Sequence, residues 1–250
     1  MRALGKKRYI EPKKYMSRWF NGRQFLRMQP YATFAKQPGK RRSVAKILRS
    51  LVPEPEKCTG LEIGPGNSPL LSMLPLRKIF FMEASPVLAK HLRHTHLQNP
   101  RTGMTRLEPT ANFSRARVAA GNARFLPFAT GANFDIVLAS EVFTHIIPSE
   151  RVPVLKEIMQ RARSIAILDR PWVGLDDLRR MSRRAFGPEW PASGLKEWQD
   201  ELVGFDALKS ALAKAGWEAE IMPLPRLSVK GAEYESHAIL TARKPLEGKS

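Results

Sequence analysis

Residues 60–69 read Gly-Leu-Glu-Ile-Gly-Pro-Gly-Asn-Ser-Pro, and their types and spacing suit the grip of a nucleoside-like ligand. An apolar run carries Glu62 two places before Gly64-Pro65-Gly66. A strand closing on such a turn leaves bare main chain for a ligand to approach, because a Cβ would obstruct both the turn and the contact. The carboxylate beside it can meet an ammonium or a ribose hydroxyl through a charge-assisted hydrogen bond. A dinucleotide site would want a third glycine at position 69, where Pro69 stands. Ser68-Pro69 reads instead as a helix start, with Ser as cap and Pro at the first helical position. Taken alone, the loop is a weak signal, with a plain structural turn as its alternative.

Three later segments fall where the same ligand would need them. Lys78-Ile79-Phe80-Phe81-Met82 reads as a strand ending in Glu83, near the spacing at which an acid accepts both ribose hydroxyl protons. A favourable charge before the helix that starts at Ser85-Pro86 is the plainer reading of Glu83. Gly121-Asn122-Ala123 follows another strand, and the Asn122 amide oxygen can meet the exocyclic amine of an adenine. An Asx-turn competes for that oxygen. Phe134-Asp135-Ile136-Val137-Leu138-Ala139 opens into Ser140-Glu141-Val142-Phe143-Thr144-His145, a rim where two groups capable of acid–base work stand close together.

The elements that must position these residues alternate between strand and helix. Strands are predicted near 58–63, 78–83, 116–120, 133–139 and 164–169. Helices are predicted near 43–52, 68–74, 86–97, 149–162 and 205–215, and two closing strands near 217–223 and 235–243 pair antiparallel. Residues 98–115 read as a polar loop. This alternation predicts an α/β fold with a doubly wound, mostly parallel sheet covered on both faces. Ligands of such sheets lie outside the carboxyl ends of the strands, which is where Gly64, Glu83, Asn122 and Ser140 fall.

On these motifs the chain resembles the class I S-adenosylmethionine-dependent methyltransferases, in particular a broad group of small-molecule and some tRNA enzymes. The matching residues are Leu61 to Gly66, Glu83, Gly121 to Ala123, and Phe134 to Val137 through His145-Ile146. The resemblance implies a seven-stranded Rossmann-like methyltransferase fold and S-adenosylmethionine as cofactor. It implies that Glu62, Gly64, Pro65 and Gly66 hold the methionine portion, Glu83 the ribose, Asn122 and Ala123 the adenine, and Ser140 the amino group through its carbonyl. Three positions depart from the pattern: Ser68 in place of a frequent glycine, Asn122 in place of the usual Asp, and Arg161 to Ser164 in place of a Pro-Gly-Gly turn. In-line displacement at a sulfonium needs a positioned, partly desolvated nucleophile and, for a protonated acceptor, a base. Glu141 and His145 are the candidate bases, a structural histidine being the alternative at 145.

Composition narrows the acceptor. The 250 residues carry a net charge of +19, and residues 1–50 alone hold 15 Lys and Arg against the single acid Glu11. Tyr9, Tyr15, Trp19, Phe20, Phe25, Tyr31 and Phe34 interleave with these cations, so residues 1–42 are expected to form a basic, aromatic extension or lid rather than a plain tail. Residues 43–245 would form the catalytic domain, with 170–203 as an inserted substrate lid. There Trp172, Arg179 and Arg183 are candidates for substrate binding, arginine suiting phosphate or carboxylate and an aromatic ring suiting a flat acceptor. An anionic small molecule is therefore the expected acceptor, with RNA as rival and a non-catalytic basic scaffold binding RNA or a membrane as the reading of another class.

The lone Cys58 fits a reducing compartment such as the cytoplasm, and an Arg-rich, acid-poor front leaves an organellar presequence open. His91, His94 and His96 lack accompanying carboxylates or thiols at ligand spacing, so no metal is expected. No apolar run is long enough to span a bilayer.

Overall fold

The strands form because apolar side chains alternate between two buried faces. In Lys78–Glu83, Ile79 and Phe81 enter one core while Phe80 and Met82 enter the other. Val137 and Ala139 oppose Ile136 and Leu138 in the same way, as do Ile165 and Ile167 against Ala166 and Leu168. A strand buried on both faces belongs to a sheet with helices on each side. The computed structural model describes residues 38–66, 69–93, 116–128, 133–171, 176, 199, 202–224, 227–229, 232–234 and 237–245.

Five parallel strands come first: β1 (Thr59–Ile63), β2 (Lys78–Glu83), β3 (Ala116–Ala120), β4 (Phe134–Ser140) and β5 (Ala162–Asp169). Later come β6 (Glu218–Pro223), the short hairpin strands β7 (Leu227–Val229) and β8 (Ala232–Tyr234), and β9 (Ala238–Arg243). The main sheet runs β3-β2-β1-β4-β5-β9-β6 and has seven strands. Its last strand, β9, inserts between β5 and β6 and is antiparallel to both. The α/β class, the mostly parallel seven-stranded sheet and its antiparallel closing pair thus match the sequence reading.

Helix α1 (Pro38–Leu51) lays Val44, Leu48 and Leu51 on the face that holds Ile136, Leu138 and Leu168. Its start lies five residues ahead of the predicted one. Helix α2 (Pro86–Leu92) follows β2. Helices α3 (Pro148–Met159) and α4 (Phe205–Lys214) cover the opposite face through Val154, Leu155, Ile158, Leu208 and Leu212. None of the described helices is long and apolar enough to cross a membrane.

Two expectations are corrected. The helix predicted over 68–74 is a single 3-10 turn, Leu71–Met73, because Pro75 drives Leu74 into extended backbone (φ −102°, ψ 142°). The β7–β8 hairpin was not expected, since strands of three residues are too short to show alternation. Ser68, the polar loop 98–115 and the extension before residue 38 lie outside the described residues, as do His94, His96 and the side chain of His91.

Candidate functional site

The order of the chain reverses between β1 and β4, so their carboxyl ends open a crevice at the place where ligands of doubly wound sheets bind. Gly64 and Gly66 turn the main chain there, with φ of +67° and +52°. The Gly64 N–H donates to the Met82 carbonyl at 2.9 Å, tying the turn to β2. A Cβ on Gly64 would sit 2.4 Å from Val142 Cγ2 and 3.2 Å from the Ser140 carbonyl oxygen. Glycine is thus required on two counts, backbone conformation and the close pass of the segment after β4. Pro65 between them is buried.

Glu83 closes the same hollow from β2. One carboxylate oxygen accepts from the Gly66 N–H at 3.3 Å, and the other from the Ser85 N–H at 3.3 Å. Both contacts are long for a charged acceptor, so each oxygen retains capacity for a better donor. Burial pushes the Glu83 carboxyl above its ordinary value, against backbone hydrogen bonds from Ser85, Gly66 and Ala84 that pull it down.

Two residues that the resemblance assigns to the ligand make local hydrogen bonds. Glu62 is fully buried, and its oxygens accept from the Leu70 and Leu71 N–H groups, each at 2.9 Å. It therefore shapes the chain after the glycine turn. Asn122 is exposed, and its side-chain oxygen accepts from the Arg124 N–H at 2.9 Å. This is the Asx-turn that the sequence reading weighed against an adenine contact. Ala123 packs inward beside it at 9% exposure.

A second cluster lies over the adjoining ends of β4, β5 and β9. Glu141 directly follows β4 and has φ +52°, left-handed backbone that costs a non-glycine residue about 1–2 kcal/mol. Its N–H donates to the Leu168 carbonyl at 2.8 Å, and its carboxylate accepts from His237 Nε2 at 2.8 Å. The His237 side chain is 4% exposed, whereas that of Glu141 is 41% exposed, so solvent reaches the acid and not the imidazole behind it. Burial pushes Glu141 up, but the hydrogen bond and charge of His237, then Arg170 and His145, hold it below the usual carboxylate range.

Asp169 ends β5 and is fully buried, with its oxygens accepting from the Arg170 N–H at 2.9 Å and the Thr144 N–H at 3.1 Å. Burial, with the Glu141 charge adding to it, raises the Asp169 carboxyl to about 7 despite those bonds. His145 closes the 3-10 turn Phe143–His145 and is half-buried. Burial and then Arg170 lower its imidazole to about 4, so it is neutral at physiological pH. Arg170 Nη2 donates to the Thr144 hydroxyl at 3.2 Å. Asp169 and Arg170 come beside Glu141 through the parallel pairing of β4 with β5, and His237 joins them because β9 inserts beside β5. The sequence reading names Glu141 and His145 as candidates, takes Arg170 only as part of the expected lid, and does not single out Asp169 or His237.

Buried Arg151 of α3 holds this rim. Its guanidinium donates to the carbonyls of Phe143 and Ile146, both at 2.9 Å, and of Leu202 at 2.7 Å. Nearby, the Val203 N–H donates to the Arg170 carbonyl at 2.8 Å, and Pro171 bridges Val203. The stretch from 172 to 201 thus leaves and rejoins the body at one place, beside Asp169. Trp172, Arg179 and Arg183, the expected substrate-binding residues within it, lie outside the described residues.

No family model and no curated protein matches the chain. Among solved structures it is similar to magnesium protoporphyrin IX methyltransferase from Synechocystis PCC 6803 with bound S-adenosylhomocysteine (TM-score 0.63, 14% identity, 93% of this chain and 100% of that one). It is also similar to the N-methyltransferase NodS from Bradyrhizobium japonicum WM9, in complex with S-adenosylhomocysteine (TM-score 0.60, 12% identity, 91% and 97%). The methyltransferase domain of bacterial CtHen1 is a third (TM-score 0.56, 11% identity, 84% and 99%). With its strand order, its inserted antiparallel β9 and its glycine turn at the β1/β4 crevice, the chain has the fold of the class I S-adenosylmethionine-dependent methyltransferases.

Proposed function

We propose that the protein transfers a methyl group from S-adenosylmethionine to an anionic small-molecule acceptor. The observation that carries the cofactor is the meeting of Glu83 with the Gly66 N–H across the crevice mouth. A buried carboxylate held by long hydrogen bonds beside a side-chain-free turn fits a ribose diol next to an amino-acid chain. Gly64, Pro65 and Gly66 would line the methionine portion, with the Ser140 carbonyl taking its ammonium and the backbone near Ala123 bordering the adenine. The neighbours support this reading, since two of them are complexes with the demethylated cofactor.

The acceptor side rests on the cluster over β4, β5 and β9. Arg170 supplies a cation there, and Arg179 and Arg183 belong to the stretch whose two ends are anchored beside it. Guanidinium groups bind carboxylate or phosphate through forked hydrogen bonds. The bound cofactor supplies an already activated methyl, and the protein's task is to orient the acceptor, exclude water and accept its proton. Glu141 and His145 would take the last task, Glu141 being the ionised one at neutral pH.

Calorimetry with S-adenosylmethionine and S-adenosylhomocysteine tests the cofactor: both should bind, and binding of neither would favour a non-catalytic scaffold. Incubation with labelled cofactor and cell extract split into RNA and small-molecule fractions tests the acceptor. Label entering small acids independently of salt supports the proposal, whereas label entering RNA, lost steeply as salt rises, would replace it with RNA methylation by the basic front.

A further inference from the structure

Glu141 and His237 are separated by 96 residues, yet they meet at 2.8 Å above the end of β5. The contact is costly to build. Glu141 is the only non-glycine residue with positive φ among the described residues, and strained backbone of this kind persists where the surroundings fix it. Two bonds do so here: its N–H to the Leu168 carbonyl and its Oε1 to His237 Nε2. The imidazole itself is sealed from solvent and stands just before β9, whose Ala238 pairs with Asp169. Only the carboxylate faces outward, one residue from Ser140 at the crevice rim.

We infer that His237 is a positioning residue that holds Glu141 as the base for an acceptor whose reacting atom carries a proton, a hydroxyl or an N–H. This rests on the methyltransferase reading above. The Nε2–H of His237 donates to Glu141 Oε1, leaving Oε2 to receive the proton. As the bond between the methyl and sulfur breaks, its electron pair stays on sulfur, and the acceptor atom forms the new bond to carbon. The acceptor's bond to hydrogen breaks with its pair remaining on that atom, and the proton passes to Glu141. The sulfonium charge is lost and the carboxylate becomes neutral, so charge balances without another reactant. The charged and titratable groups facing Glu141 are His237 before β9, His145 on the 3-10 turn, and Arg170 with Asp169 at the end of β5. His237 hydrogen-bonds its carboxylate at 2.8 Å.

Sinefungin provides a test without knowledge of the acceptor, because it carries an amine where the transferable methyl stands. An ionised carboxylate at the transfer position favours that ammonium, and S-adenosylhomocysteine, which lacks it, serves as the internal reference. The readout is the ratio of the two affinities, measured by calorimetry from pH 5 to 8 on wild type, Glu141→Gln, His237→Leu and His237→Gln. The wild-type protein should prefer sinefungin about tenfold at neutral pH, the scale of one charge-assisted hydrogen bond. Glu141→Gln should abolish the preference. His237→Leu should weaken it and move its acid limb to higher pH, while His237→Gln, which keeps a donor in place, should restore it. A ratio insensitive to all three changes would overturn the inference and leave the cofactor site standing. A His237→Gln protein behaving like His237→Leu would overturn the role of the hydrogen bond. Failure of S-adenosylhomocysteine to bind the wild-type protein would overturn the underlying reading, and this one with it.

Discussion

Val142 packs against the backbone of Gly64 so closely that a methyl group there would lie 2.4 Å from its Cγ2. The crevice is thereby narrowed to bare main chain on one side and the segment after β4 on the other. Gly64→Ala should disturb both, since the new side chain meets a clash and an unfavourable φ of +67° together. Strain of about 1–2 kcal/mol from the backbone adds to roughly 1–3 kcal/mol from overpacking. Gly216→Ala is the control: φ is +77° there, but nothing lies within 4 Å of the added carbon. Denaturant unfolding should show Gly64→Ala to be the more damaging of the two, and calorimetry should show it alone losing S-adenosylhomocysteine. Equal destabilisation by both changes would mean that the contact with Val142 is irrelevant.

Glu83→Gln should separate binding from folding. The amide keeps the volume and one acceptor, so the Gly66 turn can persist, but the charge-assisted bonds expected with the ribose hydroxyls are lost. About 1.5–3 kcal/mol per charged hydrogen bond corresponds to a weakening of S-adenosylhomocysteine affinity by roughly ten- to a hundredfold. Burial raises the carboxyl of Glu83 in the free protein, so Gln relieves a buried charge, but its NH2 must face one of the two N–H groups the carboxylate accepts from, and thermal stability should change little. Unaltered affinity in the variant would remove Glu83 from the cofactor site.

The sheet was legible because β2, β4 and β5 each carry alternating apolar faces, and turn residues mark their ends. Gly64 and Gly66 were legible as a tight turn for the same local reason. The bonds of Glu62 were not legible, because a carboxylate at the end of a strand looks alike whether it meets a ligand or the N–H groups of Leu70 and Leu71. Asn122 left two readings open, and local geometry decided for the Asx-turn. His237 carried no signal at all. Its importance depends on β9 inserting between β5 and β6, a pairing across long sequence separation that no local pattern encodes.

Arg151 should prove to be the fastening of the rim. Its three carbonyl partners come from the 3-10 turn after β4 and from Leu202, where the chain rejoins after position 201. Arg151→Met keeps the aliphatic bulk but removes the donor from the Ile146 and Leu202 carbonyls, at about 1–3 kcal/mol for each that water cannot reach, while the Phe143 carbonyl keeps the Ile146 N–H. Urea unfolding should register a loss of several kcal/mol, and hydrogen exchange should rise first at the amides of Ile146 and Val203. Exchange that rises uniformly across the sheet instead would assign Arg151 to global stability rather than to the rim.

The opposed titrations of Asp169 and His145 make the last prediction. Asp169 holds its proton to about pH 7 when folded, against 3.8 for the ordinary group, so the folded state binds more protons in that window and stability falls as pH rises through it. His145 behaves in reverse. Its folded value of about 4 lies below the ordinary 6.5, so the unfolded chain binds more protons between them, and stability rises with pH. The two slopes overlap from about pH 4 to 6.5 and oppose each other, which leaves the wild-type protein with a shallow dependence from this pair. Asp169→Asn should expose the rising limb, and His145→Gln the falling one. Urea midpoints for the three proteins from pH 4 to 8 check this directly. Parallel curves would show that neither group changes its proton affinity on folding, and the electrostatic picture of the rim would then have to be redrawn around Arg170 and Glu141 alone.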